Sequence, residues 1–240
     1  MITTPIPLSR LALAIAAIVI PLILLCFGVY GTFSFTFSIP LFWQVGILGK
    51  GIGSVGLKRR SFWPVALAGI LTGLIIAFSG GFFLKALGMT GYSMDKVHEI
   101  NSFLSTLPVK LTFQGEVGYK LLLAGDRVKG FLSYLGYCLF LVGLGEEIFW
   151  RGFIQRKLSN SIPKNFSIWI TAVIYGLVHS YLFFVVPVKD GFVFLGLIAL
   201  AGAIWGYIYE YFDNIWCPAL SHGLTAFIIW KYFVFCTLHG

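Results

Sequence analysis

The sequence predicts an all-α protein, a polytopic transmembrane helical bundle of about seven membrane spans. Three observations carry that prediction. The 240 residues are 58% hydrophobic and 11% charged, whereas a soluble domain carries about 25% charged residues. The apolar residues gather into uninterrupted runs, several long enough to cross a bilayer, which takes about 20 residues as a helix. Those runs also lack the apolar–polar alternation of membrane barrel strands, and a closed barrel is the other way to span a membrane.

In chain order, the first run, 11–30, is too long for a signal peptide and is followed by no clear small-residue cleavage site, so it reads as a retained anchor. The stretch "ILLCFG" around Cys26 puts leucine where a lipoprotein signal needs a small residue. The second run, 33–49, is short and contains Pro40, which predicts a kinked or re-entrant segment. The third covers 62–84. From about 85 to 128 comes the one long stretch outside the membrane, which mixes both signs of charge and holds amphipathic pieces such as "VHEINSFLSTL". It suits a cap or an interfacial helix and carries no motif. The fourth run, 130–150, is expected to continue as helix through "EEIFWRGFIQRKL" to about Leu158. The last three runs cover 166–186, 192–210 and 215–235.

The formal charge of +8 is first a topology signal. Lys50, Lys58, Arg59 and Arg60 crowd one loop, and Arg151, Arg156, Lys157 and Lys164 crowd the end of the fourth run and the loop after it. Basic residues in short loops mark the cytoplasmic side. With seven spans both clusters fall on one face, together with the N-terminus, so the N-terminus is expected to be cytoplasmic and the membrane to be the plasma membrane. Bases and aromatics are not interleaved on any soluble module, which argues against nucleic acid as a partner. The four cysteines, Cys26, Cys138, Cys217 and Cys236, lie in or beside apolar runs with no C-x-x-C pair, and read as packing residues.

Ionisable groups inside a bilayer are costly, so each one is a functional hypothesis. Of nine acidic residues, seven fall in loops or at span edges, leaving Glu146 and Glu147. His98 and His239 lie outside the spans, leaving His179 in "VIYGLVHSYLFF" and His222 in "CPALSHGLTAFII". Three separate runs thus contribute polar groups. Glu147 and Arg151 are four apart on a helix and can pair on one face. Glu146 points about 100° away and has no partner at helical spacing. A carboxylate beside an imidazole can take a proton from water near neutral pH. One glutamate is therefore expected to be structural and the other to do chemistry.

These residues resemble a known family. "EEIFWRG" fits the E-E-x-x-x-R pattern of the CPBP intramembrane endopeptidases, the CAAX protease and bacteriocin-processing (Abi) family. "YGLVHS" is similar to its second motif, F-x-x-x-H, with Tyr175 in place of Phe. "NIWCPALSHGLTA" is similar to the third, an Ile-Trp-x-Pro run before H-x-x-x-N. The resemblance spans roughly 140–228. It implies that Glu146 activates a water, that His179 helps to hold it, and that His222 stabilises the oxyanion. Glu147 and Arg151 would hold the site's shape. It also implies a peptide or membrane-protein substrate cut near the membrane surface, with no metal or other cofactor. On this reading residues 1–128 are N-terminal spans plus the extramembrane segment, and 129–240 are the catalytic helical core.

One position departs from the pattern. The third motif ends in Asn four residues after its histidine, and here that residue is Ala226. Either Thr225, Ser221 or a backbone group supplies the missing donor, or the protein is slow, or it has kept only a binding role. Other readings are a metalloprotease using Glu146, His179 and His222 as ligands, a membrane scaffold or immunity-type protein, and a proton-coupled transporter. The metal set lacks an H-E-x-x-H pair, and no inverted repeats of the transporter kind are evident.

Overall fold

The computed structural model describes residues 40–58, 62–89, 99, 102, 127–184 and 186–234. Among these the regular elements are all helical. The expected span 11–30, residues 33–39 of the second run and nearly all of the 85–128 segment lie outside the described residues, as do Cys26 and Cys236.

Among the described residues three helices are long and apolar enough to cross a membrane, as expected of an integral membrane protein. Helix α1, Phe62–Ala86, has 25 residues, a length of about 37 Å. Its outer face shows Leu67, Leu71, Ile75, Phe78 and Phe82, as a helix solvated by lipid tails requires. Its buried face is a stripe of small residues, Ala66, Gly69, Gly73, Ala77 and Gly81, which lets another backbone come close.

Helix α2 runs without a break through 127–159. It changes pitch on the way: Arg127–Gly136 is α, Tyr137–Gly145 is π, Glu146–Phe149 is α, Trp150–Gln155 is π and Arg156–Ser159 is α. The two glutamates thus sit on one α turn between two widened stretches, and π turns inside helices are frequent at functional sites. The helix continues past the apolar run, as expected, and places Glu147 about 18 Å from its C-terminal end.

Helix α3, Lys164–Leu177, has 14 residues. The expected span 166–186 is therefore not one helix. After Leu177 the winding tightens: the His179 N–H bonds to the Gly176 carbonyl three residues back (3.0 Å), and a 3₁₀ turn, Ser180–Phe184, follows. His179 stands in the turn that joins the two rather than within a helix.

Helix α4, Val188–Phe212, is the third long apolar helix. It ends at Asp213, which adopts the left-handed conformation (φ 47°), a common helix stop, and whose carboxylate pairs with Lys58. Helix α5 comprises Trp216–Ile228 and a π continuation, Ile229–Val234. Asn214 Oδ1 accepts the Trp216 N–H (3.1 Å) at its start.

Helix α5 lies centrally. A methyl on Gly73 would come within 2.8 Å of the Ser221 carbonyl oxygen, so α5 rides in the groove of small residues on α1. On its other side Gly143 and Gly223 bring α2 and α5 together. A methyl on Gly143 would overlap the Ala219 carbonyl oxygen, and one on Gly223 would sit 2.6 Å from that of Cys138. This close approach sets His222, next to Gly223, against the glutamates of α2.

The chain at 52–58 folds onto the ends of α2 and α5. Arg156 donates to the Ser54 carbonyl (3.2 Å), and the Ile215 N–H bonds to the Gly56 carbonyl (3.0 Å). The basic residues at 50–58 and those at the end of α2 therefore share one face of the bundle, as the charge pattern requires.

Candidate active site

The site is built on α2, α4, α5 and the α3 end. Glu146 is 3% exposed, and Glu147 and Arg151 are 0% exposed. Arg151 Nε lies 3.0 Å from Glu147 Oε2, the expected pair at i,i+4. Neither atom makes an aligned hydrogen bond to the other or to any described residue, so the contact is Coulombic. Arg151 Nη2 instead donates to the Gly202 carbonyl on α4 (2.7 Å). Its guanidinium lies over the rings of Tyr175 (5.3 Å) and Trp205 (5.7 Å). These contacts spread the arginine charge over carboxylate, carbonyl dipole and two aromatic faces.

His222 is the hub on the other side. Its Nδ1–H donates to Glu147 Oε1 (3.0 Å), its Nε2 is 3.9 Å from Glu146 Oε2, and its ring stacks on Trp205 (4.2 Å, 20° between planes). Trp205 in turn donates from Nε1 to Ser221 Oγ (2.9 Å). The histidine is thus bonded to Glu147 and faces Glu146. The carboxylate at Nδ1 fixes which ring nitrogen carries the standing proton and leaves Nε2 on the Glu146 side.

Glu146 Oε2 accepts a hydrogen bond from the Tyr175 hydroxyl (3.3 Å). The same hydroxyl is 3.1 Å from His222 Nε2. His179 donates from Nδ1 to the Tyr175 carbonyl (2.8 Å), and its ring meets that of Tyr175 edge-on (4.8 Å). Glu146, Tyr175, His179 and His222 all line one cavity of about 150 Å³. Its remaining wall is largely apolar and includes Phe194, Leu197, Ile198 and Ile229, and Ala226 lines it too.

All five residues singled out in the sequence therefore reach one place. Glu147, Arg151, His222 and Glu146 are in direct contact, and His179 joins them through the cavity and Tyr175. Three participants escape a reading by charge alone: the Tyr175 hydroxyl, the Trp205 stack and the Gly202 carbonyl. Tyr175 had a signal, its place one turn before His179, but a buried aromatic there also reads as packing. Of the groups considered as substitutes for the missing amide, Thr225 Oγ1 donates to the Gly73 carbonyl (3.2 Å). Ser221 is fully buried against Trp205. Among the described residues no group of three or more His, Cys, Asp and Glu side chains is placed to hold a metal ion.

Residues 129–228 match the family model described as type II CAAX prenyl endopeptidase Rce1-like. That segment, under half of the chain, is similar to the Rce1-like family. The match contains Glu146, Glu147, Arg151, Tyr175, His179, Trp205 and His222 and agrees with the resemblance carried by the three motifs. No curated protein and no solved structure matches the chain.

Proposed function

We propose that this protein is an intramembrane endopeptidase of the CAAX-protease type, in which Glu146 activates the attacking water. The observation that carries the reading is the division of labour between the two glutamates. Glu147 is held by Arg151 and His222 Nδ1, whereas Glu146 lines the cavity, where it accepts from the Tyr175 hydroxyl and faces His222 Nε2. The Rce1-like match supports the same assignment.

In the proposed reaction a water lies in the cavity between Glu146 and His179. Glu146 carboxylate takes one proton from it, the water oxygen bonds to the scissile carbonyl carbon, and the carbonyl π pair moves onto oxygen. His222 enters the step already carrying a proton on Nε2 as well as on Nδ1, keeps both throughout, and faces the oxyanion with the Nε2–H while Glu147 balances its charge. A preorganised donor of this kind is worth several kcal/mol in a site that excludes water. When the intermediate collapses, the C–N bond breaks and the proton held by Glu146 passes to the leaving nitrogen. His179, with Nδ1–H given to the Tyr175 carbonyl, offers Nε2 as acceptor for the second water hydrogen.

The substrate is read as a peptide or membrane protein whose scissile bond reaches the cavity from the basic, cytoplasmic face. The apolar wall suits an aliphatic or prenyl group, which the family description names for its members. The assigned location is the plasma membrane with the N-terminus inside. Comparing new peptide termini in membranes carrying wild type or Glu146→Gln at matched levels tests the assignment. Termini that vanish in the variant support it; identical profiles refute it.

Ala226 favours a second reading, a scaffold or immunity-type protein that keeps the buried charges to orient its helices. In that case Glu146→Gln leaves the phenotype intact while Arg151→Ala unfolds the protein.

A further inference from the structure

Tyr175 is 2% exposed, and its hydroxyl lies between the two groups assigned to the chemistry. The oxygen is 3.3 Å from Glu146 Oε2 and 3.1 Å from His222 Nε2, and the residue lines the cavity with both. A phenol has one proton to give and two lone pairs. When His222 Nε2 carries a proton, that N–H points at the phenol oxygen and the phenol proton goes to Glu146. When Nε2 is bare, it accepts the phenol proton. In both states the O–H lies between base and histidine, where a carbonyl must enter to meet the water.

Among the described residues, Thr225, Ser221 and Ala226 offer no equivalent. Thr225 gives its hydroxyl hydrogen to the Gly73 carbonyl. Ser221 is sealed against Trp205. Ala226, one turn after His222 and lining the same cavity, ends in a methyl group.

We propose that the Tyr175 hydroxyl is a catalytic group that donates a hydrogen bond to the scissile carbonyl oxygen as it becomes an oxyanion, alongside His222. The inference rests on the endopeptidase reading. Its proton stays on the phenol throughout: the new bond is still water oxygen to carbonyl carbon, and the phenol turns from its resting partner to the oxyanion and back.

The test uses the full chain in liposomes with a peptide cleaved in a Glu146-dependent way. Tyr175→Phe keeps the ring and its edge-on contacts with Trp150, His179 and Trp205, and removes one oxygen. Loss of one oxyanion donor lowers kcat by about 10²–10³, so that fall is expected with KM and Tm nearly unchanged. Adding Ala226→Asn, which sets an amide donor in the same cavity, is expected to restore at least about tenfold. A Tyr175→Phe kcat within about threefold of wild type, or a rise confined to KM, overturns the inference and leaves the endopeptidase reading standing. A fall in kcat that tracks a fall in Tm overturns it too. If wild type and Glu146→Gln are equally inert or equally active, the endopeptidase reading fails and the inference falls with it.

Discussion

Arg151→Ala removes a fully buried cation and leaves a fully buried carboxylate behind. Glu147 would keep the His222 Nδ1–H at 3.0 Å and lose the guanidinium at 3.0 Å. The Gly202 carbonyl would lose its 2.7 Å donor, and the faces of Tyr175 and Trp205 would lose the charge above them. Removing one partner of a buried pair costs about 3–5 kcal/mol, largely because the other charge stays buried. At 1.4 kcal/mol per factor of ten, the folded-to-unfolded ratio drops by about a hundredfold to a few thousandfold. For a chain of this size about 2–4 °C of Tm follows each kcal/mol, so a drop of about 6–20 °C is expected. Thermal unfolding in a fixed detergent reads it. Arg151→Lys keeps the charge but loses the planar fork, and should fall between. Combining Arg151→Met with Glu147→Gln removes both charges and should cost less than Arg151→Ala alone. A Tm within 2 °C of wild type for Arg151→Ala, in roughly the range of a neutral surface change, would refute the reasoning.

Two further outcomes are expected. Gly143→Ala puts a methyl against the Ala219 carbonyl oxygen and forces α5 off α2, at a cost of about 1–3 kcal/mol. Tm should fall by several degrees and cleavage by more than the loss of folded protein, since His222 moves with α5; unchanged cleavage would contradict the packing account. Thorough chelation should leave cleavage unchanged, because the proposed chemistry routes charge through His222 and Tyr175; activity lost to chelator and restored by zinc would support the metalloprotease reading instead.

The fold class was legible because lipid as solvent leaves a mark on composition that no soluble core needs. The continuation of α2 past its apolar run was legible too, since "EEIFWRGFIQRKL" keeps helical spacing between Glu147 and Arg151. The break in α3 was not: hydropathy at 166–186 does not register a change from four-residue to three-residue hydrogen bonding, so His179 looked intrahelical. In the site, the Glu147–Arg151 pair is local and follows from spacing. The position of His222 is not local. It depends on how close Gly143 and Gly223 let two helices come, and the difference between 3.0 Å to Glu147 and 3.9 Å to Glu146 is finer than any periodicity. Tyr175 was visible only as an aromatic where the motif has another aromatic; the use of its hydroxyl emerges once Glu146 and His222 are seen on either side of it.

The most direct test of the account is the cleavage rate of purified wild type and Glu146→Gln in liposomes, on a peptide spanning a terminus found in membranes. Glu146→Gln keeps the size of the side chain and removes the base, so the account predicts cleavage by wild type and none measurable by the variant, with equal Tm. Equal rates for the two proteins would contradict it.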